Sequence, residues 1–148
     1  MICFQTERLI AKSEMRIVEG RLLKKESEPV TIDILNLKKT TGLESGFKFY
    51  DKEDENVEIC HIGITWQRER FEVSYGTEQQ FEGRGFMKEA LSYLVNWIFA
   101  NTEEPVIWGL PNGTVSEHIL SINGFTYYGP LESNPSMKWY RLLNIDVN

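Results

Sequence analysis

The chain has 148 residues, of which 41% are hydrophobic and 26% are charged, a balance that predicts one ordinary globular domain spanning 1–148. The formal net charge is −6, and the lysines and arginines form no cluster larger than pairs such as Lys24–Lys25. These features argue against a nucleic-acid groove binder, whose affinity would depend on basic side chains at phosphates. They favour a cationic partner such as an amine or a basic peptide.

The cellular setting is indicated by the N-terminus and the cysteines. The first ten residues include Glu7 and Arg8 and contain no apolar signal core. No segment approaches the ~20 apolar residues needed to cross a bilayer. Cys3 and Cys60 have no metal-ligand spacing and form no Cys-x-x-Cys motif. We therefore expect a cytoplasmic protein with no membrane association, no bound metal and two reduced, inert thiols.

The first half of the chain has the weaker secondary-structure signals. Phe4–Ala11 predicts a first strand, and the apolar positions scattered through Glu14–Lys25 are compatible with a helix. Thr31–Leu37 stays ambiguous, because its β-branched residues favour a strand whereas the spacing of its apolar residues suits a short helix. Two strands are predicted next, Gly46–Tyr50 and Val57–Trp66, joined by the acidic turn Asp51–Asn56.

The second half is more regular. In Phe71–Gly76 apolar residues alternate with polar ones, which predicts a strand with one apolar face. Met87–Phe99 has the apolar spacing of an amphipathic helix. Thr114 and Glu117 are spaced as a capping box, which predicts a helix ending at Asn123–Gly124. Further strands are predicted at Pro105–Gly109, Thr126–Gly129 and Met137–Leu143, the last two separated by the turn-rich stretch Pro130–Pro135. This order of elements predicts an α+β or mixed α/β domain around a single sheet.

The loop Gln80–Phe86 joins the alternating strand to the amphipathic helix and contains two glycines, Gly83 and Gly85. Backbone without side chains can approach a ligand closely, and a helix N-terminus supplies unpaired N–H groups and the positive end of a dipole. The loop therefore predicts a site for phosphate or another anion. It is not a P-loop, and Lys88 replaces the third glycine of a dinucleotide fingerprint. A tight turn that needs positive φ at a glycine is the structural alternative.

The wider sequence around this loop resembles a known family. Gln80-x-x-Gly83-x-Gly85 is similar to the acetyl-CoA pyrophosphate loop of the GNAT N-acetyltransferase superfamily. The resemblance spans nearly the whole chain and implies the GNAT fold, a single mixed, mostly antiparallel sheet flanked by helices. It is closest to the branch that acetylates the N-termini of ribosomal proteins, through Thr6–Ile10, Glu72–Tyr75, Gly83–Leu91, Trp97–Phe99 and Ser116–Phe125.

The resemblance also implies how acetyl-CoA, the acyl donor, would be held. The backbone of Val73, Ser74 and Tyr75 would pair with the pantetheine arm as an added strand. The amides of the loop would hold the pyrophosphate, and Arg84 would add positive charge at its rim. The implied contact residues of the loop are Gln80, Phe81, Glu82, Gly83, Arg84, Gly85 and Phe86.

Two departures from the family pattern concern the chemistry. The family often has an asparagine at the position of Gly113, whereas here Asn112 is one residue earlier and is the candidate for that contact to the donor. Many members have a tyrosine, the acid for the thiolate, at the position of Leu120. The acid role therefore falls to Ser116, to a water molecule or to no group.

The implied mechanism is direct attack of an amine on the thioester, without an acyl-enzyme, so neither cysteine would take part. The attacking amine must be neutral, and Glu72 is the first candidate for its base because it lies opposite the apolar face of its strand. Glu58 and His61 are the next candidates. Structural roles are the alternatives: an ion-pair partner for Glu72, a packed histidine for His61 and a helix cap for Ser116.

Two other functions stay open from the sequence. A GNAT-fold protein that binds acyl-CoA without catalysis would agree with the missing tyrosine and the shifted asparagine. An enzyme that acts on a different phosphate ligand would agree with the glycine loop alone. The motifs do not distinguish a protein N-terminus from a small amine as the acceptor. A homodimer is the expected assembly.

Overall fold

The computed structural model describes residues 2–13, 15–18, 21–24, 45–67, 70–102 and 104–146. Within these residues the strands are β1 (Ile2–Gln5), β2 (Leu9–Ser13), β3 (Met15–Val18), β4 (Arg21–Lys24), β5 (Ser45–Asp51), β6 (Asp54–Gln67), β7 (Arg70–Thr77), β8 (Val106–Gly109), β9 (Thr126–Leu131) and β10 (Asn134–Leu143). The α-helices are α1 (Phe86–Asn101) and α2 (Thr114–Ile122), and short 3-10 helices cover Gln79–Phe81 and Asn144–Asp146.

Eight of the described strands form one sheet in the order β1-β2-β5-β6-β7-β8-β10-β9, and β3 and β4 form a separate hairpin. Neighbouring strands of the large sheet are antiparallel except β7 and β8, which are parallel. The predicted fold class, a mixed and mostly antiparallel sheet flanked by helices, is confirmed. The parallel pair is in register only at Glu72–Trp108 and Val73–Gly109. Because β7 continues to Thr77 and β8 ends at Gly109, the sheet opens beyond this point.

Helix α1 covers one face of the sheet, as the apolar spacing predicts. Its buried stripe packs in the main core with Phe71 and Val73 of β7 and with Phe47 and Phe49 of β5. Neither described helix is long and apolar enough to span a membrane. The buried residues of α1 are Met87, Ala90, Leu91, Leu94, Val95, Ile98 and Phe99.

A smaller core lies on the opposite face of the sheet, around Trp108, Leu131 and Trp139. The Arg70 guanidinium carbon is 4.0 Å from the ring centroid of Trp108 and 4.5 Å from that of Trp139. Stacking of a guanidinium on aromatic faces stabilises the cation and covers the rings. This cluster therefore fixes β7, β8 and β10 together on the side opposite α1.

Replacing Trp108 should strongly destabilise the fold. The side chain is 8% exposed, and Trp108→Ala would remove the centre of the smaller core and one stacking partner of Arg70. We expect a loss of about 3–5 kcal/mol in the free energy of unfolding, measured by urea denaturation. Ile145 is 87% exposed, so Ile145→Ala should change it by less than about 0.5 kcal/mol. Equal effects of the two variants would contradict a packed core at Trp108.

The predictions for residues 4–25 are wrong. The predicted strand Phe4–Ala11 is two strands, because the chain reverses at 6–8 and the Thr6 amide donates to the Leu9 carbonyl at 2.9 Å. The predicted helix Glu14–Lys25 contains the hairpin of β3 and β4, in which Ile17 pairs with Leu22. Neighbouring β-branched residues, Ile17 and Val18, favour this extended backbone. The ambiguous segment Thr31–Leu37 lies outside the described residues.

Helix α2 begins differently from the prediction and ends as predicted. Gly113 is the N-cap and no side chain caps the helix there, so the capping box predicted from Thr114 and Glu117 is wrong. Thr114 is instead the first helical residue, which places its hydroxyl past the capping position. Asn123 ends the helix and Gly124 follows with φ of +90°, the left-handed conformation that favours glycine.

Two predicted turns are shorter in the structure. Only 52–53 separate β5 from β6, in place of Asp51–Asn56, and only 132–133 separate β9 from β10, in place of Pro130–Pro135. Pro130 lies in β9, the last strand in the order, and Pro135 lies in β10 where the pairing with β9 is irregular between Asn134 and Lys138, a bulge that also tolerates proline. A proline is tolerated at a sheet edge because its missing N–H leaves no partner strand unsatisfied.

Candidate functional site

The opening between β7 and β8 leads into two adjoining cavities. One has a volume of about 360 Å³ and the other of about 740 Å³. Tyr75, Asn112 and Ser116 line both, so the cavities meet at the end of β7 and the start of α2. The result is one cleft with two compartments, which we call the small cavity and the large cavity.

The large cavity contains most of the predicted glycine loop. Gly83 and Gly85 both have φ of +77°, and a Cβ added at Gly83 would meet no atom within 4 Å. The left-handed backbone explains the glycines, and the open space beside Gly83 leaves room for a ligand. Gln80 and Arg84, which the resemblance implies as contacts, do not line either cavity. The loop residues that line the large cavity are Phe81, Glu82, Gly83, Gly85 and Phe86.

The backbone around the start of α1 has the features of an anion site. Gly85 is the N-cap, and no side chain caps the helix. The Gly85 carbonyl accepts a hydrogen bond from the Glu89 amide at 3.1 Å. Within the described residues, the amides from Gly83 to Lys88 donate no backbone hydrogen bond. Unpaired amides at a helix N-terminus bind anions through hydrogen bonds and the helix dipole.

The small cavity brings together the two predicted catalytic residues, Glu72 and Ser116. Glu72 is 8% exposed, so the face of β7 opposite its apolar residues is covered at this position. The Ser116 hydroxyl donates to Asn112 Oδ1 at 3.2 Å or to the Gly113 carbonyl at 3.3 Å. The shifted asparagine therefore still lies beside Ser116, where the two cavities meet.

The predicted pantetheine segment lines the cleft along β7. Val73 is buried, Ser74 is exposed, and all of Val73, Ser74 and Tyr75 line the small cavity. The Tyr75 hydroxyl donates to the Ser116 carbonyl at 2.7 Å, which joins β7 to α2 across the opening. Burial raises the pKa of the Tyr75 phenol, so it stays protonated at neutral pH and remains a donor.

The other two candidate bases lie outside both cavities. Glu58 is 3.9 Å from Lys48 Nζ, and His61 is exposed on β6. A Cβ added at Gly76 would come 3.0 Å from His61 Cε1, so the imidazole packs over Gly76. Of the three predicted bases, the structure therefore places only Glu72 in the cleft.

Several residues of the cleft were not predicted. Thr65 lies opposite Glu72 in the antiparallel register of β6 and β7, and it lines the small cavity with Leu110, Pro111 and Met137. The register of β6 against β7 is the signal that indicates Thr65, because residues directly opposite on neighbouring strands share a face. Met137 comes from β10, and no local pattern in the sequence indicates that it reaches this cavity.

Glu89, in the first turn of α1, accepts three hydrogen bonds from the turn between β1 and β2. Its donors are the Thr6 hydroxyl at 2.5 Å, the Arg8 amide at 2.9 Å and Arg8 Nε at 2.7 Å. Burial alone would raise the pKa of Glu89, but the hydrogen bonds from Thr6 and Arg8 and the charge of Arg8 lower it below its usual value of 4.5. The carboxylate is therefore charged across the physiological range.

This lowered pKa predicts how stability depends on pH. A carboxylate with a lowered folded pKa contributes stability above its unfolded pKa, and that contribution is lost as pH falls through the folded value. Glu89→Gln should be about 1–2 kcal/mol less stable than the natural chain at pH 7, and the difference should shrink as pH falls below about 4.5. Urea denaturation across a pH series measures this. Glu55, a half-exposed partner of Lys12, supplies the control Glu55→Gln, and a constant difference for Glu89→Gln would contradict the prediction.

The two cysteines, Cys3 and Cys60, line neither cavity of the cleft. Burial, followed by the charges of Glu58 and Glu89, raises the pKa of the Cys60 thiol to about 12, and burial raises that of Cys3. A thiol with a raised pKa is a poor nucleophile at neutral pH. In the described part of the chain, no three His, Cys, Asp or Glu side chains are grouped as metal ligands.

Solved structures similar to this chain share its fold at low sequence identity. Ribosomal-protein-S5-alanine acetyltransferase from Vibrio fischeri has a TM-score of 0.58 and 20% identity, over 78% of this chain and 69% of that chain. An acetyltransferase from Agrobacterium tumefaciens has a TM-score of 0.64 and 19% identity, over 94% and 92%. Spermidine N-acetyltransferase from Vibrio cholerae, in complex with CoA and spermine, has a TM-score of 0.57 and 15% identity, over 72% and 69%.

The sequence also matches a family model. No curated protein matches the chain by sequence. The model of the acetyltransferase (GNAT) domain matches residues 14–125, which include the glycine loop, Glu72 and Ser116. The glycine loop, the opened parallel pair and this match agree, and the chain belongs to the GNAT acetyltransferase family.

Proposed function

We propose that this protein is an acetyl-CoA-dependent N-acetyltransferase that transfers an acetyl group to a primary amine. One observation carries the proposal: the two cavities meet at Tyr75, Asn112 and Ser116. A donor bound with its phosphates at the start of α1 can therefore extend to a small cavity lined by the buried carboxylate of Glu72.

The donor half of the cleft fits the elongated shape of acetyl-CoA, which supplies the acetyl group and a thiol leaving group. The unused amides from Gly83 to Lys88 would receive the pyrophosphate. Past Val73, β7 is no longer in register with β8, so the backbone of Ser74 and Tyr75 would pair with the amide groups of the pantetheine arm. The thioester would then lie near Ser116.

Glu72 is proposed as the base that makes the attacking amine neutral. At pH 7 an α-amine of pKa ~7.8 costs about 1 kcal/mol to deprotonate, and a lysine-like amine of pKa ~10.4 costs about 4.6 kcal/mol. Glu72 would accept this proton directly or through a water molecule, because it lines the small cavity where the amine would enter. Its negative charge would also attract the cationic form of the amine before the proton is lost.

Ser116 is proposed to act on the departing thiolate. Its hydroxyl lies at the junction of the cavities and can donate to either of two acceptors, Asn112 Oδ1 or the Gly113 carbonyl. A hydroxyl that exchanges between acceptors can turn towards a developing negative charge. The bond between nitrogen and the acetyl carbon forms as the carbon–sulfur bond breaks. The amine proton passes to Glu72, and the thiolate receives a proton from water or from Ser116, whose hydroxyl proton is then replaced from water.

The acceptor class is the part of the proposal that needs an experiment. The net charge of −6 and the carboxylate in the small cavity favour cationic amines, either a protein N-terminus or a small amine. Thiol release from acetyl-CoA, measured across polyamines, aminoacyl compounds and peptides with ribosomal-protein N-termini, identifies the class. Turnover with any acceptor would exclude a protein that only binds acyl-CoA. CoA binding without turnover across the panel would support that alternative.

The remaining expectations stay predictions. A homodimer can be tested by sedimentation of the purified chain, and a cytoplasmic location by fractionation of the native host. Competition by CoA for any bound nucleotide would exclude the other phosphate-ligand enzyme considered from the sequence.

A further inference from the structure

Arg8 lies in the turn of the hairpin formed by β1 and β2, and it connects this hairpin to the backbone of the glycine loop. Besides its ion pair with Glu89 at 2.7 Å, its NH1 group donates to the Arg84 carbonyl at 3.0 Å. Its guanidinium carbon lies 4.1 Å from the ring centroid of Phe86, and its NH2 group would be 3.7 Å from a Cβ added at Gly85. One side chain therefore contacts Arg84 and Phe86 and lies beside Gly85 between them.

These contacts set the orientation of the loop. A carbonyl and the amide of the next residue belong to one rigid peptide plane. The hydrogen bond from Arg8 to the Arg84 carbonyl therefore also orients the Gly85 amide, at a residue whose backbone would otherwise be free to rotate. Stacking on Phe86 places the same guanidinium at the first residue of α1.

Charge gives Arg8 a second effect on the loop. Glu89 lies in the first turn of α1, close to the end of the helix where an anion would bind. Its carboxylate would repel a pyrophosphate there if it were unpaired. Thr6 and Arg8 supply all three of the hydrogen bonds described above, and Arg8 also supplies the compensating positive charge.

We propose that Arg8, held by Glu89, is a positioning residue for the acyl-donor site: it orients the glycine-loop backbone and neutralises Glu89, so that the loop binds the pyrophosphate of the donor. The turn between β1 and β2 is thereby part of the donor site, although it lines neither cavity. The inference rests on the proposed function, because it assumes that the loop binds a pyrophosphate.

The test compares two ligands that differ in the pyrophosphate. Calorimetry gives the dissociation constant of CoA, and ligand-observed NMR gives that of pantetheine, which lacks the pyrophosphate and the nucleoside. Arg8→Ala should weaken CoA about tenfold, the equivalent of about 1.4 kcal/mol, and should change pantetheine binding less than about twofold. Dephospho-CoA, which keeps the pyrophosphate, should be weakened as much as CoA.

Two more variants separate charge from geometry. Arg8→Lys keeps the positive charge but cannot reproduce the planar contacts to Glu89, Arg84 and Phe86, so it should restore only part of the affinity. Arg8→Ala combined with Glu89→Gln removes the unpaired carboxylate and should bind CoA better than Arg8→Ala alone. The matched control is Lys12→Ala on the same hairpin, which removes an ion pair with Glu55 at 3.2 Å and should leave CoA binding unchanged.

The outcomes distinguish this inference from the proposed function. The Arg8 side chain is 43% exposed, and circular dichroism should show that Arg8→Ala stays folded. Equal weakening of CoA and pantetheine, or unchanged CoA binding in Arg8→Ala, would overturn the role of Arg8 while the proposed function stands. If the natural chain itself does not bind CoA, both are overturned.

Discussion

Glu72→Gln is expected to lower kcat for acetyl transfer by about a hundredfold or more and to leave the dissociation constant of CoA unchanged. A positioned general base contributes roughly 10²–10⁴-fold, and the amide keeps the shape of the side chain without accepting the proton. Because Glu72 lies in the small cavity and the glycine loop lines the large one, the loss should fall on chemistry. Steady-state kinetics with the best acceptor of the panel, together with calorimetry for CoA, measures both effects.

The control for this variant is Glu58→Gln. Glu58 is on the neighbouring strand, pairs with Lys48 at 3.9 Å and lines neither cavity, so its kcat should stay within about twofold of the natural chain. The dependence of the rate on pH is a second test of the base. Glu72→Gln should lose the increase in rate with pH that a general base produces. A Glu72→Gln variant with unchanged kcat would mean that the amine loses its proton by another route.

Gly83→Glu is expected to weaken acetyl-CoA binding at least about a hundredfold, the equivalent of about 2.8 kcal/mol. Gly83 has φ of +77°, and a residue with a Cβ in this left-handed conformation costs roughly 1–2 kcal/mol. The new carboxylate would also occupy the open space where the pyrophosphate is proposed to bind, and it would repel that group. Calorimetry with acetyl-CoA gives the dissociation constant.

Two variants separate the causes of that loss. Gly83→Ala has the backbone strain without the charge and should weaken binding by a smaller factor. Gly129→Glu has the same change of charge at a glycine of β9 that has no atom within 4 Å of an added Cβ and no positive φ, so acetyl-CoA should bind as in the natural chain. If Gly83→Glu binds as tightly as Gly129→Glu, the pyrophosphate does not lie at the glycine loop.

The elements with strong local patterns could be predicted from the sequence. The apolar stripe of α1 and the alternation in β7 follow periods set by helix and strand geometry, and both are present in the structure. The hairpin of β3 and β4 could not be predicted in this way. Its apolar residues fit a helical spacing as well, and the pairing of Ile17 with Leu22 that decides the matter is a contact between strands.

The site shows the same division between local and long-range information. The glycine loop was predicted because its chemistry lies in consecutive residues. The burial of Glu72 was not, because it results from the packing of other elements: Thr65 of β6 lies opposite it, and Met137 of β10 lines the same cavity. The link from Arg8 to the loop joins residues 76 positions apart, and only the folded chain shows it.

We propose that one cleft holds acetyl-CoA with its pyrophosphate at the glycine loop and its thioester beside Ser116. A crystal structure of the complex with CoA would locate both groups. We predict phosphate oxygens within about 3.2 Å of the amides between Gly83 and Lys88, pantetheine along Val73–Tyr75, and the sulfur where the small and large cavities meet. A pyrophosphate bound away from the loop, or a sulfur outside the opening between β7 and β8, would contradict the claim.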